Sequence, residues 1–100
     1  MYARLSLFQL GPGTRAQAQR YLADRHAPIW RRQPGFRSII FLVDEERGEY
    51  GNVSVWDTRE HAEAAAEVIR REFEKDVREA GLQVQGAVSS RLFEAYEAAE

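Results

Sequence analysis

Gly51-Asn52-Val53-Ser54-Val55-Trp56-Asp57-Thr58 alternates with period two. In a strand, Asn52, Ser54 and Trp56 point to one face, and Val53 and Val55 to the other. The valine side reads as packing. The Asn/Ser/Trp side reads as the wall of a polar-aromatic pocket. The run then leads straight into a helix, with Asp57 as the expected N-cap and Glu60 as its reciprocal partner three residues on. The stretch places a pocket but names no reaction.

Working outward, Tyr2 to Leu10 alternates and predicts a first strand. Gly11-Pro12-Gly13 is a turn, and Thr14 is the expected cap of the first helix. Residues 15 to about 33 read as that helix, with Ala18, Leu22, His26 and Ile29 or Trp30 on one stripe. Pro28 should kink or restart it, because proline lacks an amide donor and restricts the residue before it. Phe36 to Val43 and Glu49 to Trp56 form a hairpin around the polar turn 44–48. A second helix runs from Thr58 to about Ala80, with Ala62, Ala65 or Ala66, Ile69, Phe73, Val77 and Ala80 inward. Glu67/Arg71 and Glu74/Arg78 are the expected surface pairs. Gly81 stops it, and Val84 to about Glu94 supplies the last strand.

The order β-α-β-β-α-β predicts an α+β, ferredoxin-like fold: two helices on one face of a four-stranded antiparallel sheet. With Ser6, Asn52, Ser54 and Trp56 toward the helices, Leu5, Leu7, Val53 and Val55 face away. Ile39, Phe41 and Val43 are expected to join them. A bare face of that composition is more apolar than monomers usually tolerate, so a homodimer closed sheet to sheet is expected.

Composition sets the outer bounds. One hundred residues make a single domain, 1–100. At 44% apolar residues the chain is globular rather than disordered. It contains no run of about 18 apolar residues, so no membrane span is expected. Met1 to Phe8 reads as a strand rather than a signal peptide, which leaves the cytoplasm as the default location. Without cysteine there is no disulfide, thiolate nucleophile or cysteine metal site. Two histidines among scattered acids make no recognisable metal site. Residues 1–43 carry seven arginines against one acid, Asp24, while residues 44–100 carry seven bases and fifteen acids. A basic half would attract an anionic ligand or nucleic acid, but no aromatic residues interleave with the arginines. The preferred reading is a basic helix lying beside an acidic one, with no nucleic-acid partner. Gly11-Pro12-Gly13 is too short for a phosphate-binding loop, so neither flavin nor nicotinamide is expected.

The first strand, His26 to Trp30, Gln33-Pro34-Gly35-Phe36-Arg37-Ser38 and Val53 to Thr58 together give the chain a likeness. It resembles the antibiotic-biosynthesis monooxygenase-type family of the dimeric α/β-barrel superfamily. The resemblance implies two protomers forming a dimeric α/β barrel. It implies a cofactor-independent monooxygenase acting on a small quinol- or phenol-like aromatic. The alternative is a non-catalytic small-ligand-binding or stress-associated barrel. Cofactor-free oxygenases of the family place an Asn and a Trp on the third strand, which Asn52 and Trp56 match. The Tyr that sometimes assists from the second helix corresponds to Ala62. Haem-degrading relatives need an Asn where this chain has Ser6 and a His in the later second helix, a region without one here; haem degradation is disfavoured.

Asn52 would polarise a ring oxygen and Trp56 would stack on the ring. His26 is either a general base or a buried histidine bonded to backbone at the kink. Ser6, Ser54 and Trp30 complete the expected binding surface, and Arg4, in phase with Ser6, sits at its mouth. Arg37 is expected at the dimer contact or in solvent. His61 is expected to face solvent.

Overall fold

Alternation and helical spacing translate into the anticipated element order. The computed structural model describes residues 1–99; Glu100, the end of the expected unit, lies outside the described residues. The strands are β1 (Tyr2–Gln9), β2 (Phe36–Asp44), β3 (Glu49–Trp56) and β4 (Gln85–Glu94). They form an antiparallel sheet in the order β2-β3-β1-β4. With helices packed on one face, this is the ferredoxin-like α+β arrangement.

The first helical region is broken where a continuous helix to about residue 33 is predicted. It starts as α1 (Arg15–Ala18), widens to π geometry over Gln19–Asp24, and restarts as α2 (Ala27–Arg31) with Pro28 in its first turn. Proline is tolerated there because its amide would have no partner anyway. The widening also serves packing. Ala18, Leu22, His26 and Trp30 are all buried, at steps of four. In an ideal α-helix each such step drifts by about 40°; the slower turn of the π segment offsets the drift. Thr14 does not cap α1. Its backbone is not extended, and its hydroxyl donates instead to the Gly11 carbonyl (2.7 Å) and meets the Tyr50 hydroxyl (2.9 Å).

The long helix α3 (Arg59–Glu79) is capped by Thr58, not by Asp57. Thr58 has the extended backbone a cap needs, and its hydroxyl accepts from the His61 amide at 3.1 Å. Asp57 is one residue too early; its amide donates to the Gly35 carbonyl (2.9 Å) and its carboxylate faces Arg37 (3.5 Å). His61 is half-buried rather than solvent-facing. Gly35 has φ +77°, and its missing Cβ leaves the space that the His61 ring fills. Along α3, Arg70 takes both Glu67 (3.0 Å) and Glu74 (3.7 Å), replacing the expected pairs with Arg71 and Arg78.

One irregularity changes which residues of β2 face the helices. Phe36 pairs with Trp56, but Ser38 pairs with Val55, so Arg37 is an inserted residue. A one-residue bulge reverses the alternation beyond it. Ile39, Phe41 and Val43 therefore pair with Ser54, Asn52 and Tyr50 on the helix face, and not on the outer face as expected. Ser38, Ile40 and Leu42 take their place outside. Cross-strand register then puts Ile40, Val53, Leu5 and Arg91 in one outer row, and Ser38, Val55, Ala3 and Phe93 in the next. Ile40 is 62% exposed and Phe93 40%.

Under the helices lie two clusters. Phe8, Leu10, Leu22, Tyr50 and Val77 form one; Trp30, Trp56, Ala62 and Ala65 form the other. Each large side chain buried this way contributes about 1.5–3 kcal/mol.

Candidate functional site

Strand parity and small helical residues together open a cavity. Ala62 and Ala66 on α3 are too small to fill the space above β1 and β3. A cavity of about 590 Å³ results, a size typical for small-molecule sites. Arg4, Ser6, Asn52, Ser54 and Trp56 line its sheet side, Trp30 enters from α2, and Ser90 closes it from β4. A smaller cavity of about 220 Å³ lies on the α1 and β2 side, lined by His26, Trp30, Tyr50, Phe41 and Asn52. Asn52 and Trp30 border both.

Asn52 is buried beside the cavities without a side-chain hydrogen bond among the described residues. The residue is 8% exposed. Among the described residues no hydrogen bond engages its carboxamide, which borders both cavities. A carboxamide open to a cavity in this way is free to bond a ligand or water. Trp56 is 1% exposed, and its indole N–H donates to the Ser54 hydroxyl at 2.9 Å. That bond fixes the ring and leaves the Ser54 proton free to donate. Phe36 meets Trp56 edge-on at 5.7 Å, and Phe41 meets Trp30 edge-on at 5.6 Å, so both indoles are held as rigid walls.

His26 lies outside the larger cavity. Its Nε2 meets the Asp76 carboxylate at 2.5 Å, and both side chains are buried. Asp76 also accepts from Arg25 (3.0 Å), and Arg25 bonds Glu79 (2.5 Å). The hydrogen bond to Asp76, then that to Glu79, raises the Arg25 guanidinium above its ordinary range. With Nε2 engaged, Nδ1 is the nitrogen left for the smaller cavity. His26 bonds a carboxylate, not backbone.

Arg4 donates from Nη1 to the Ser90 hydroxyl at 3.0 Å, and Ser90 lies 3.4 Å from the Ser6 hydroxyl. Its Nε is buried without a partner. Arg37 is exposed beside Asp57, away from both cavities.

Two residues escaped the sequence reading. Asp76 carried a signal: it is an acid three residues after Phe73 and seven after Ile69, on the inward stripe of α3. Ser90 carried none, because only the β1–β4 register sets it opposite Ser6. Among the described residues no three His, Asp or Glu side chains gather as a metal-binding set. No helix of the described residues is long and apolar enough to cross a membrane.

Comparison with known proteins returns a family and a fold. A family model described as antibiotic biosynthesis monooxygenase matches residues 1–68. No curated protein sequence matches the chain. SnoaB, a cofactor-independent oxygenase from Streptomyces nogalater, is 21% identical with a TM-score of 0.69, over 97% of this chain and 93% of that one. The ActVA-Orf6 monooxygenase of Streptomyces coelicolor, solved with nanaomycin D, is 16% identical with a TM-score of 0.71, over 99% and 90%. A Deinococcus radiodurans protein, provisionally assigned as an antibiotic biosynthesis monooxygenase, is 14% identical with a TM-score of 0.75, over 100% and 97%. At these identities the three structures speak to fold alone.

Proposed function

The chain belongs to the antibiotic biosynthesis monooxygenase family, and on that premise we propose that it is a cofactor-independent monooxygenase of a small quinol- or phenol-like aromatic. The observation that carries this reading is the Asn52 carboxamide, without a hydrogen-bond partner among the described residues, in a cavity also lined by the Trp56 and Trp30 indoles. A phenol and dioxygen give a quinone and water, so the substrate supplies the electrons and no flavin or nicotinamide is required. The protein then has three tasks. Trp56 and Trp30 hold a flat ring. Asn52, with Ser54 beside it, hydrogen-bonds the ring oxygen and favours the electron-rich phenolate. His26, oriented by Asp76, lines the smaller cavity that Asn52 also borders, and its Nδ1 is the candidate base for the phenolic proton of a ring oxygen that reaches that side.

The test is a panel of planar quinols and phenols offered to the purified protein without added cofactor. Binding should quench Trp56 fluorescence, with Trp56→Phe as the control for Trp30, and turnover should consume dioxygen. A panel that leaves both signals unchanged would overturn the reading. A second reading, a non-catalytic ligand-binding barrel, draws on the placement of His26 outside the larger cavity. Quenching without oxygen uptake on any panel member would favour it.

The proposal extends to assembly. Leu5, Leu7, Ile40, Val53, Val55 and Phe93 make the outer sheet face apolar, and a second copy closing on it as a dimeric α/β barrel would remove it from water. Sedimentation should show a dimer in the wild type and a monomer in Val53→Glu or Leu7→Glu, which would bury an unpaired charge. A wild-type monomer at micromolar concentration would contradict this.

A further inference from the structure

Among the described residues Arg4 is a cation without an ion-pair partner. Several exposed arginines share that condition, but Arg4 is half-buried and its Nε fully so, whereas Arg15, Arg25, Arg37, Arg47, Arg59 and Arg70 meet carboxylates. The other two charged residues that line the larger cavity, Arg70 and Glu74, pair with each other at 3.7 Å. Arg4 donates only from Nη1, to Ser90. Its Nε is buried with no acceptor, and among the described residues no acceptor meets its Nη2. Ser6 and Ser90 stand beside it with hydroxyls 3.4 Å apart. Across the strand pairing, Arg4 sits opposite Ser54, the residue that anchors the Trp56 ring.

A guanidinium bound this way lacks an acceptor on the Nε and Nη2 side, the edge that matches a carboxylate. We infer that the ligand of the larger cavity is an anionic aromatic: a ring against Trp56 and Asn52, bearing a carboxylate or comparable acidic group that pairs with Arg4. The acid takes Nη2 and, with a small rotation of the guanidinium, Nε. Ser6 and Ser90 donate to its remaining lone pairs. The inference rests on the proposed ligand-binding role of this cavity and adds the charge its ligand must carry. It also gives one arginine of the basic N-terminal half a specific task, where a merely basic surface would be solvated and unselective.

The probes are a hydroxynaphthoate and the matching neutral hydroxynaphthamide, measured by calorimetry on the intact protein. The acid should bind at least about tenfold more tightly than the amide, the scale of one charge-assisted pair in a partly desolvated site. Added salt should weaken the acid and leave the amide unchanged. Arg4→Met should lower the acid to the affinity of the amide, and Arg4→Lys should retain part of the preference. Equal affinities for acid and amide in the wild type would overturn this inference while leaving the pocket reading intact. Binding of neither probe would overturn both. Because the salt and acid-to-amide comparisons use the wild type, a variant that fails to fold leaves the test decisive.

Discussion

The two ends of the helix-covered face handle buried polarity in opposite ways. Beneath the junction of the π segment and α3, the buried Asp76 accepts from both His26 and Arg25. Beneath the middle of α3, among the described residues, the Asn52 side chain has no partner and Arg4 has one partner for three nitrogens. Both regions use residues of similar polarity. The difference is that the first closes its hydrogen bonds within the protein, whereas the second leaves them to whatever enters the cavity. Satisfied polar groups hold helices to each other; unsatisfied ones that border a cavity are free to bond what enters it.

Breaking the satisfied end should have the largest effect on stability. Asp76→Ala strands a buried His26 and frees Arg25, and the loss should be about 3–5 kcal/mol by urea unfolding, the usual cost of removing one partner of a buried pair. Asp76→Asn keeps an acceptor and should cost less. A cost near zero for Asp76→Ala would mean that this end is not the structural one. Trp56→Phe should come next. It removes the indole donor from Ser54 and part of a buried ring, so a loss of about 1–3 kcal/mol is expected from the same unfolding curve. Ser90→Ala should change stability by no more than about 0.5 kcal/mol, because Ser90 is an exposed strand position.

Much of this contrast was legible in the sequence, and the limits have physical causes. Period-two alternation places Arg4 with Ser6, and Asn52 with Ser54 and Trp56, on shared faces without any knowledge of tertiary structure. The pairing of β1 with β3 then brings the two sets side by side. The bulge at Arg37 defeats the same rule on β2, because an inserted residue leaves no mark in a run of apolar side chains. The cap of α3 moved by one residue because both Asp57 and Thr58 are good cap types and only backbone geometry separates them. The His26–Asp76 contact spans 50 residues between two helices, so spacing within either helix cannot reveal it. The broken helix is a partial success: Pro28 announces the restart, while the π widening before it comes from packing a stripe of step four.

The contrast is tested most directly at Asn52, by measuring stability and binding on one variant. Asn52→Ala should leave the urea midpoint close to that of the wild type, since it removes a carboxamide that pairs with nothing among the described residues. The same variant should weaken binding of a planar phenol, read as quenching of Trp56, by about 1–3 kcal/mol. If Asn52→Ala instead unfolds markedly earlier while binding the phenol as tightly as the wild type, Asn52 is part of the scaffold and the ligand site lies elsewhere.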